Sequence, residues 1–224
     1  QWETTTKYNV ALEGSFLNNR LSARLDLFWH NTTNLLTRRE LDYLSGLASY
    51  WTNDGALTNK GFEASINAAL INKKDWKWEL GASMGHYNNK VTQLPSSDVI
   101  ELERYDWAIG GYVKTGQTIN GFTNSVYGDK NVLTAVGSAL GSFYGWQTQT
   151  GKNGSIVFAD EAEASTATTA SPDGHLKYNT NAGGMVNFKS GDVHFVDQNG
   201  DGVIDDNDKV VIGNPNPDIF GNIF

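Results

Sequence analysis

Four times between Thr5 and Gly85 the chain alternates one apolar residue with one polar or small residue over ten or so positions. A period of two is the period of a β-strand, whose successive side chains point to opposite faces, and it argues against a helix of period 3.6. The first stretch, about Thr5 to Leu17, sets Tyr8, Val10, Leu12, Gly14 and Phe16 against Lys7, Asn9, Ala11, Glu13 and Ser15. After Asn18-Asn19-Arg20 the pattern restarts, with Leu21, Ala23, Leu25, Leu27 and Trp29 against Ser22, Arg24, Asp26, Phe28 and His30, so the Asn pair marks a hairpin turn. A third stretch, roughly Ala56 to Ile71, sets Phe62, Ala64, Ile66, Ala68 and Leu70 against Glu63, Ser65, Asn67 and Ala69. Asn72-Lys73-Lys74-Asp75 turns it into a fourth, with Trp76, Trp78, Leu80, Ala82 and Met84 against Lys77, Glu79, Gly81, Ser83 and Gly85.

Strands of this length exceed the usual five or six residues of a globular sheet and suffice to span a tilted membrane sheet. Glu13, Arg24, Asp26, Glu63 and Glu79 sit in mid-strand, which suits a wet lumen, and Trp2, Trp29, Trp76 and Trp78 lie near strand ends, where an aromatic girdle would be. The connections alternate in length: the Asn18 and Asn72 turns are short, whereas 31–55 and the chain from Asn89 are long, the asymmetry of an outer-membrane barrel with its long loops outside. Strand one then descends toward the periplasm, and the next three rise, descend and rise. A soluble sandwich with one solvated face gives the same alternation, so periodicity alone leaves both open.

A mean hydropathy of -0.43 does not decide between them, since a barrel alternates lipid-facing with lumen-facing residues. No run approaches the 18 or so apolar residues of a membrane-crossing helix. The absence of Cys removes disulfides, thiolate metal sites and cysteine nucleophiles. No positively charged, apolar leader opens the chain at Gln1-Trp2-Glu3, and a mature or excised segment would look the same. Charge is unevenly placed: 9 Lys/Arg match 9 Asp/Glu through Asn88, and 8 face 16 beyond it, so the whole net of -8 lies in the later part. Nucleic-acid binding is excluded as a reading, because phosphates require a positive surface.

From 89 to 214 the alternation disappears. Glycines punctuate short apolar stretches, small strands are expected at 141–148 and 192–196, and the Ser/Thr/Ala-rich run from Glu163 to Ser171 reads as a loop tip or a poorly ordered link. So long a connection is expected to hold structure of its own. Inside it, Asp197-Gln198-Asn199-Gly200-Asp201-Gly202-Val203-Ile204-Asp205-Asp206-Asn207-Asp208 has the spacing of a calcium loop. The oxygen ligands would be Asp197, Asn199, Asp201, the Val203 carbonyl, Asp205 and Asp208, with Gly202 at the sharp turn and Ile204 as the anchor. Position twelve is Asp where a helical hand has Glu, and the flanks His194-Phe195-Val196 and Val210-Val211-Ile212 read as strands, so the expectation is a structural Ca2+ clamp and not a sensor. The rival reading is an Asp/Asn/Gly turn network satisfied by its own side chains.

Tyr8-Asn9-Val10-Ala11-Leu12, Asn59-Lys60-Gly61-Phe62-Glu63, Asn88-Asn89-Lys90-Val91-Thr92-Gln93-Leu94, Gly141-Ser142-Phe143-Tyr144-Gly145, and the run from Gly191 to Asp205 followed by Ile212-Gly213-Asn214-Pro215-Asn216-Pro217 resemble, in order, the barrel region of SusC/RagA-type TonB-dependent outer-membrane transporters. The resemblance implies an all-β fold: an antiparallel transmembrane β-barrel segment, with 1–88 as four barrel strands interrupted by one long extracellular loop (31–55), 89–214 as an acidic extracellular insertion, and 215–224 as the start of the next strand. A complete member of such a family is a barrel of about 22 strands closed by a plug. It implies no enzyme but an importer of oligosaccharides or peptides, sited in the outer-membrane lipid, working with a SusD-like lipoprotein lid and driven through the TonB complex. The chain departs from a complete member in showing no plug, no TonB-contacting segment and only four to five strands. Trp107, Tyr112, Tyr127, Tyr144 and Trp146 are candidate platforms for stacking on a ligand, or else the small core of the insertion.

Two rivals remain. A hydrolase could use Glu101, Glu103 and Asp106 as paired carboxylates, but nothing in the sequence sets a pair across a bond. His30, His86, His175 and His194 lack zinc spacing. The other rival is a soluble, calcium-stabilised carbohydrate-binding β domain.

Overall fold

The structure, a computed structural model, describes residues 2–40, 46, 49–96, 98–126, 129–179 and 184–224. Its strands are β1 (Thr4–Phe16), β2 (Leu21–Glu40), β3 (Ser49–Asn72), β4 (Lys77–Gln93), β5 (Val99–Asp106), β6 (Gly111–Val126) and β7 (Asp129–Ala135). They continue with β8 (Ser142–Trp146), β9 (Lys177–Asn179), β10 (Met185–Asn187), β11 (Val203–Ile204), β12 (Lys209–Gly213) and β13 (Phe220–Ile223). One short helix, α1 (Glu161–Ala164), and a 3-10 turn at Asp206–Asp208 complete the described elements. The chain divides into two compact units, the first Gln1–Ser97, Thr134–Gly141 and Asn214–Phe224, the second Asp98–Leu133 and Ser142–Gly213.

The first unit is an antiparallel sheet in the order β1-β2-β3-β4-β13. Its register turns the sequence alternation into continuous rows. Leu12, Leu25, Ala64 and Met84 are successive cross-strand partners, flanked by the rows Val10, Leu27, Phe62 and Gly14, Ala23, Ile66, Ala82, Ile223. Glu13, Arg24, Ser65, Ser83 and Asn222 form a row on the other face. There the Arg24 guanidinium grips Asp26 at 2.6 and 2.8 Å, with Glu63 directly across from Asp26. The apolar face of this sheet stays open: Leu12 is 73% exposed and Val10 68%.

The β1–β2 turn is a mirror-image tight turn, with Asn18 and Asn19 at φ 55 and 63 and Arg20 N–H donating to the Leu17 carbonyl at 3.2 Å. At the same end β3 carries a bulge between Ala69 and Ile71. The bulge shifts parity, so Ile71 and not Leu70 stands opposite Trp78. Arg20 donates to the Ala69 and Leu70 carbonyls at 3.1 and 2.8 Å, satisfying acceptors beside the bulge.

The segment 31–55 corrects the expectation of a long loop: β2 runs on to Glu40 and β3 begins at Ser49. The alternation of apolar residues stops near Trp29, but the ladder does not, because backbone pairing needs no apolar face. A bulge at Asn34, with φ 57, and a Thr/Asn set mark the change; Thr5 bonds Thr32 at 3.0 Å, Thr58 bonds Asn31 at 3.1 Å, and Asn89 bonds Asn59 at 2.6 Å. Residues 134–141, which fall inside the expected insertion, pack with this unit through Val91, whose N–H and C=O pair with Ser138 and Gly137.

β13 docks beside β4 by a different device. Phe220 lies across from Gly85, and Gly81 exchanges both backbone hydrogen bonds with Phe224 at 2.8 and 2.9 Å. A Cβ on Gly85 would meet the Phe220 ring at 2.5 Å, and one on Gly81 the Phe224 ring at 2.3 Å. The rings fill the gaps that the two glycines leave.

The second unit holds a sheet in the order β12-β8-β7-β6-β5 and a small one in the order β10-β9-β11, in which β11 runs parallel to β9. Phe158, Ala164, Leu176, Phe188 and Ile204 form its core, with Trp146, Ala167 and Phe195 packed against them. The run from Glu163 to Ser171 is no loose link: Asp160 caps α1 by accepting the Glu163 N–H at 2.7 Å, and Ala164 and Ser171 are buried. The Glu163 carboxylate accepts the N–H groups of Ala159 and Lys152, both at 2.8 Å, which hold its pKa below the usual range. The expected strand at 192–196 is reduced to single bridges at Val193 and Phe195.

Gly85→Leu in the intact protein is expected to displace the Phe220 ring and lower the fraction that reaches the heat-resistant, fast-migrating folded form on an unboiled gel, whereas Gly111→Ala, where an added Cβ meets open space, leaves that fraction unchanged.

Candidate cation loop and the aromatic residues around it

Residues 197–208 fold as a sharp loop because Gly200 and Gly202 take φ of 71 and 83, which L side chains rarely adopt. A Cβ at Gly202 would also press on the Ser171 nitrogen at 3.1 Å. Val203 and Ile204 are buried and pin the loop to the core, the anchoring role expected for Ile204.

The loop oxygens are turned onto N–H groups. Asp197 accepts Gly200 at 2.7 Å, Asp201 at 3.2 Å and Gly202 at 2.8 Å. Asp201 accepts the Val203 N–H at 2.8 Å and the Asn199 amide at 3.1 Å, and Asp205 accepts the Asn207 N–H at 2.7 Å. Asp208 accepts the N–H groups of Gln198 and Asp205 at 2.8 and 2.9 Å, one on each carboxylate oxygen. Among the described residues, no three His, Asp or Glu side chains converge as a metal would require.

Electrostatics nevertheless leaves the loop short of positive charge. Asp208 is fully buried, and the neighbouring Lys209 ammonium goes to Asp206 at 2.9 Å and Asp129 at 3.1 Å instead. Burial, followed by the nearby Asp197 and Asp205, pushes the Asp208 carboxyl up to about 7. Burial raises Asp201 as well, with Asp197 adding to it.

The loop has a second use that no sequence spacing announces. β5 is an edge strand, and its outward groups are closed by loop side chains: the Glu103 N–H donates to Asn207 at 2.9 Å, Asn199 donates to the Glu103 carbonyl at 3.3 Å, and the Tyr105 N–H donates to Asp201. Capping an edge this way keeps it from pairing with another chain.

The aromatic candidates take part in the same fastening. The Trp107 indole donates to the Asp201 carbonyl at 2.7 Å and the Trp146 indole to the Asp205 carbonyl at 2.6 Å. Tyr112 hydrogen-bonds Asp205 and Asn179, and burial raises its phenol pKa. Tyr144 is buried, and Tyr127 lies outside the described residues. Tyr105 stands edge-on to both Trp107 and Tyr112, at 4.9 and 5.3 Å, a partner the sequence reading missed.

The other candidates do not assemble. Glu101 pairs with Lys114, and Asp106 accepts the Ala108 N–H at 2.8 Å as a turn cap. His30 bonds Asn9, His86 bonds the Asp218 carbonyl, and His194 stacks on Phe158 with centroids 4.1 Å apart.

A family model described as "TonB dependent receptor-like, beta-barrel" matches residues 1–184. The chain is 28% identical over 218 residues to "TonB-dependent receptor P3" of Formosa agariphila, covering 97% of this chain and 18% of that protein. It is also 28% identical over 221 residues to "TonB-dependent receptor SusC" of Bacteroides thetaiotaomicron, covering 98% of this chain and 17% of the relative. The chain therefore spans less than a fifth of the length of these relatives. Among solved structures, "Structure of the RagAB peptide transporter" superimposes with a TM-score of 0.60 at 18% identity, covering 99% of this chain and 19% of that one. That likeness is one of fold: an all-β chain whose sheet matches part of a barrel.

The raised pKa of Asp208 fixes the sign of a pH dependence. Its folded value of about 7 exceeds the ordinary 3.8, so the stability it contributes without a cation is present below pH 4 and lost as pH rises through 7. In a chelator, the melting temperature of the intact protein is expected to fall between pH 5 and pH 8, and Asp208→Asn is expected to flatten that slope whatever it does to absolute stability.

Proposed function

Because the chain belongs to the TonB dependent receptor-like β-barrel family, we propose that its first unit is a stretch of transmembrane wall, and its second a solvent-side unit, of an outer-membrane importer. Family members of this type are transport proteins and not enzymes. The cargo class is oligosaccharide or peptide, the lid a SusD-like lipoprotein, and the energy source the TonB complex, in keeping with the SusC and RagAB likenesses.

One observation carries the reading: the uncovered apolar face of the β1-β2-β3-β4-β13 sheet. Tyr8 pairs with Trp29 at one end, and Phe16 ends β1 eight residues away, about 26 Å of strand and about 20 Å of height at a tilt of about 40°. An outward apolar band of a barrel is about 25 Å tall with aromatic girdles. The polar face, with Glu13, Arg24, Asp26 and Glu63, suits a wet lumen. The soluble carbohydrate-binding domain fits worse, since it would leave Val10, Leu12 and Leu27 in water. On this reading the Asn18 and Asn72 turns face the periplasm, and the long β2–β3 hairpin and the second unit face outside.

Calcium in the 197–208 loop belongs to the same proposal. The donors are hard oxygens, and a buried Asp208 carboxylate with no basic partner among the described residues fits a cation held by Asp197, Asn199, Asp201, the Val203 carbonyl, Asp205 and Asp208. The ion would neutralise the clustered carboxylates and tighten the loop against β5. A hydrogen-bonded turn network is the competing account, favoured by the N–H groups that already occupy these oxygens.

Leu12→Arg or Met84→Arg in the intact protein is expected to destabilise the membrane-inserted state by about 2–4 kcal/mol, while Ser65→Arg on the opposite face is nearly neutral. Equal losses from both faces would sink the wall reading. Calcium is expected to raise the melting temperature of the intact protein, an effect abolished by Asp197→Ala; no shift and no measurable binding would leave the turn network as the account of the loop.

A further inference from the structure

The second unit contains a cavity of about 770 Å³, and we propose that it seats the lysine or arginine side chain of an extended peptide. The proposal rests on the importer reading and narrows its cargo. Trp146, Tyr178, Phe188 and Phe195 give the cavity an aromatic lining, and the carboxyl-bearing residues Glu103 and Asp192 line it too. Among the described residues, no Lys or Arg lines it. The unit around it carries seven Lys/Arg against fifteen Asp/Glu, so the whole net charge of the chain resides here.

The protein contains its own example of the recognition. The Lys209 ammonium lies 4.3 Å from the centre of the Trp146 ring and between Asp129 and Asp206, two further residues that line the cavity. An ammonium over an indole face with carboxylates at its sides is the arrangement these walls stabilise. Lys209 takes up Asp129 and Asp206, and Asp205, which also lines the cavity, accepts the Asn207 N–H and bonds Tyr112, so an incoming cation is left Glu103 and Asp192. The loop engages Glu103 through its backbone N–H and carbonyl, and the Lys114 ammonium next to it is drawn to Glu101. Asp192 is exposed, and its Oδ2 accepts the Lys189 N–H at 2.8 Å. A basic side chain lays its methylenes on the aromatic rings and delivers its charge to these oxygens. A neutral sugar would use the rings alone, and an anionic one would be repelled.

The test is equilibrium binding to the intact transporter in detergent, at fixed calcium, with three probes: the end-capped pentapeptide Ala-Ala-Lys-Ala-Ala, the same peptide with Nε-acetyl-lysine, and maltopentaose. The lysine peptide is expected to bind about tenfold or more tighter than its acetylated form, with affinity that falls as salt rises. Glu103→Gln and Asp192→Asn should each weaken the lysine peptide severalfold and leave the acetylated one unchanged. Equal affinity for the two peptides, binding of maltopentaose alone, no binding of the lysine peptide, or indifference to both substitutions would overturn the proposal. Heat-modifiable gel migration of the same sample reports separately on the barrel, so loss of the peptide site and loss of the importer reading remain distinguishable.

Discussion

The backbone ladder is what everything else in this chain depends on. A strand inside a lipid-facing sheet has no water to satisfy its N–H and C=O groups, so each must be met by a neighbouring strand in strict register. That register aligns Leu12, Leu25, Ala64 and Met84 into one row and Glu13, Arg24, Ser65 and Ser83 into the opposite one. A slip of one residue would exchange the faces along a whole strand, so features that fix register carry disproportionate weight. The Asn18-Asn19 turn, the bulge at Leu70 with Arg20 on its carbonyls, and the Phe220 ring over Gly85 are such features.

The second unit obeys the same requirement by different means. Its edge strand β5 finds partners not in another strand but in Asn199, Asp201 and Asn207, so one loop both gathers carboxylates and closes an edge. This couples charge to shape. The loop that crowds Asp197, Asp205 and Asp208 together also holds Trp107 and Trp146 by their indole nitrogens, and the acidic, aromatic cavity lies beside it.

Much of the first unit was legible in the sequence because both of its faces are constrained along the apolar span. Where one face loses its constraint, legibility ends. Beyond Trp29 either face tolerates Thr and Asn, so the alternation vanished while β2 continued to Glu40. The parity shift at Leu70 was hidden because Leu70 and Ile71 are both apolar, and the choice between them is made by Trp78 on the next strand. In the loop, the spacing of Asp197 to Asp208 and the need for Gly202 were readable from local chemistry. The engagement of Glu103 and Tyr105 was not, because it joins residues about a hundred positions apart. The Ser/Thr/Ala run misled for a related reason: its order comes from the Asp160 cap and from backbone donors brought to Glu163, not from its own composition.

The central claim is that the Leu12 row faces lipid and the Ser65 row faces water. It is tested most directly with single cysteines, which this stretch of chain otherwise lacks, placed at Leu12, Leu25, Met84, Ser65 and Ser83 in a background without other cysteines. After labelling with a fluorophore, the intact protein is reconstituted into bilayers of brominated-chain lipids. Strong quenching at Leu12, Leu25 and Met84, with weak quenching at Ser65 and Ser83, is the predicted result. The reverse pattern, or equal quenching of both rows, would contradict the account.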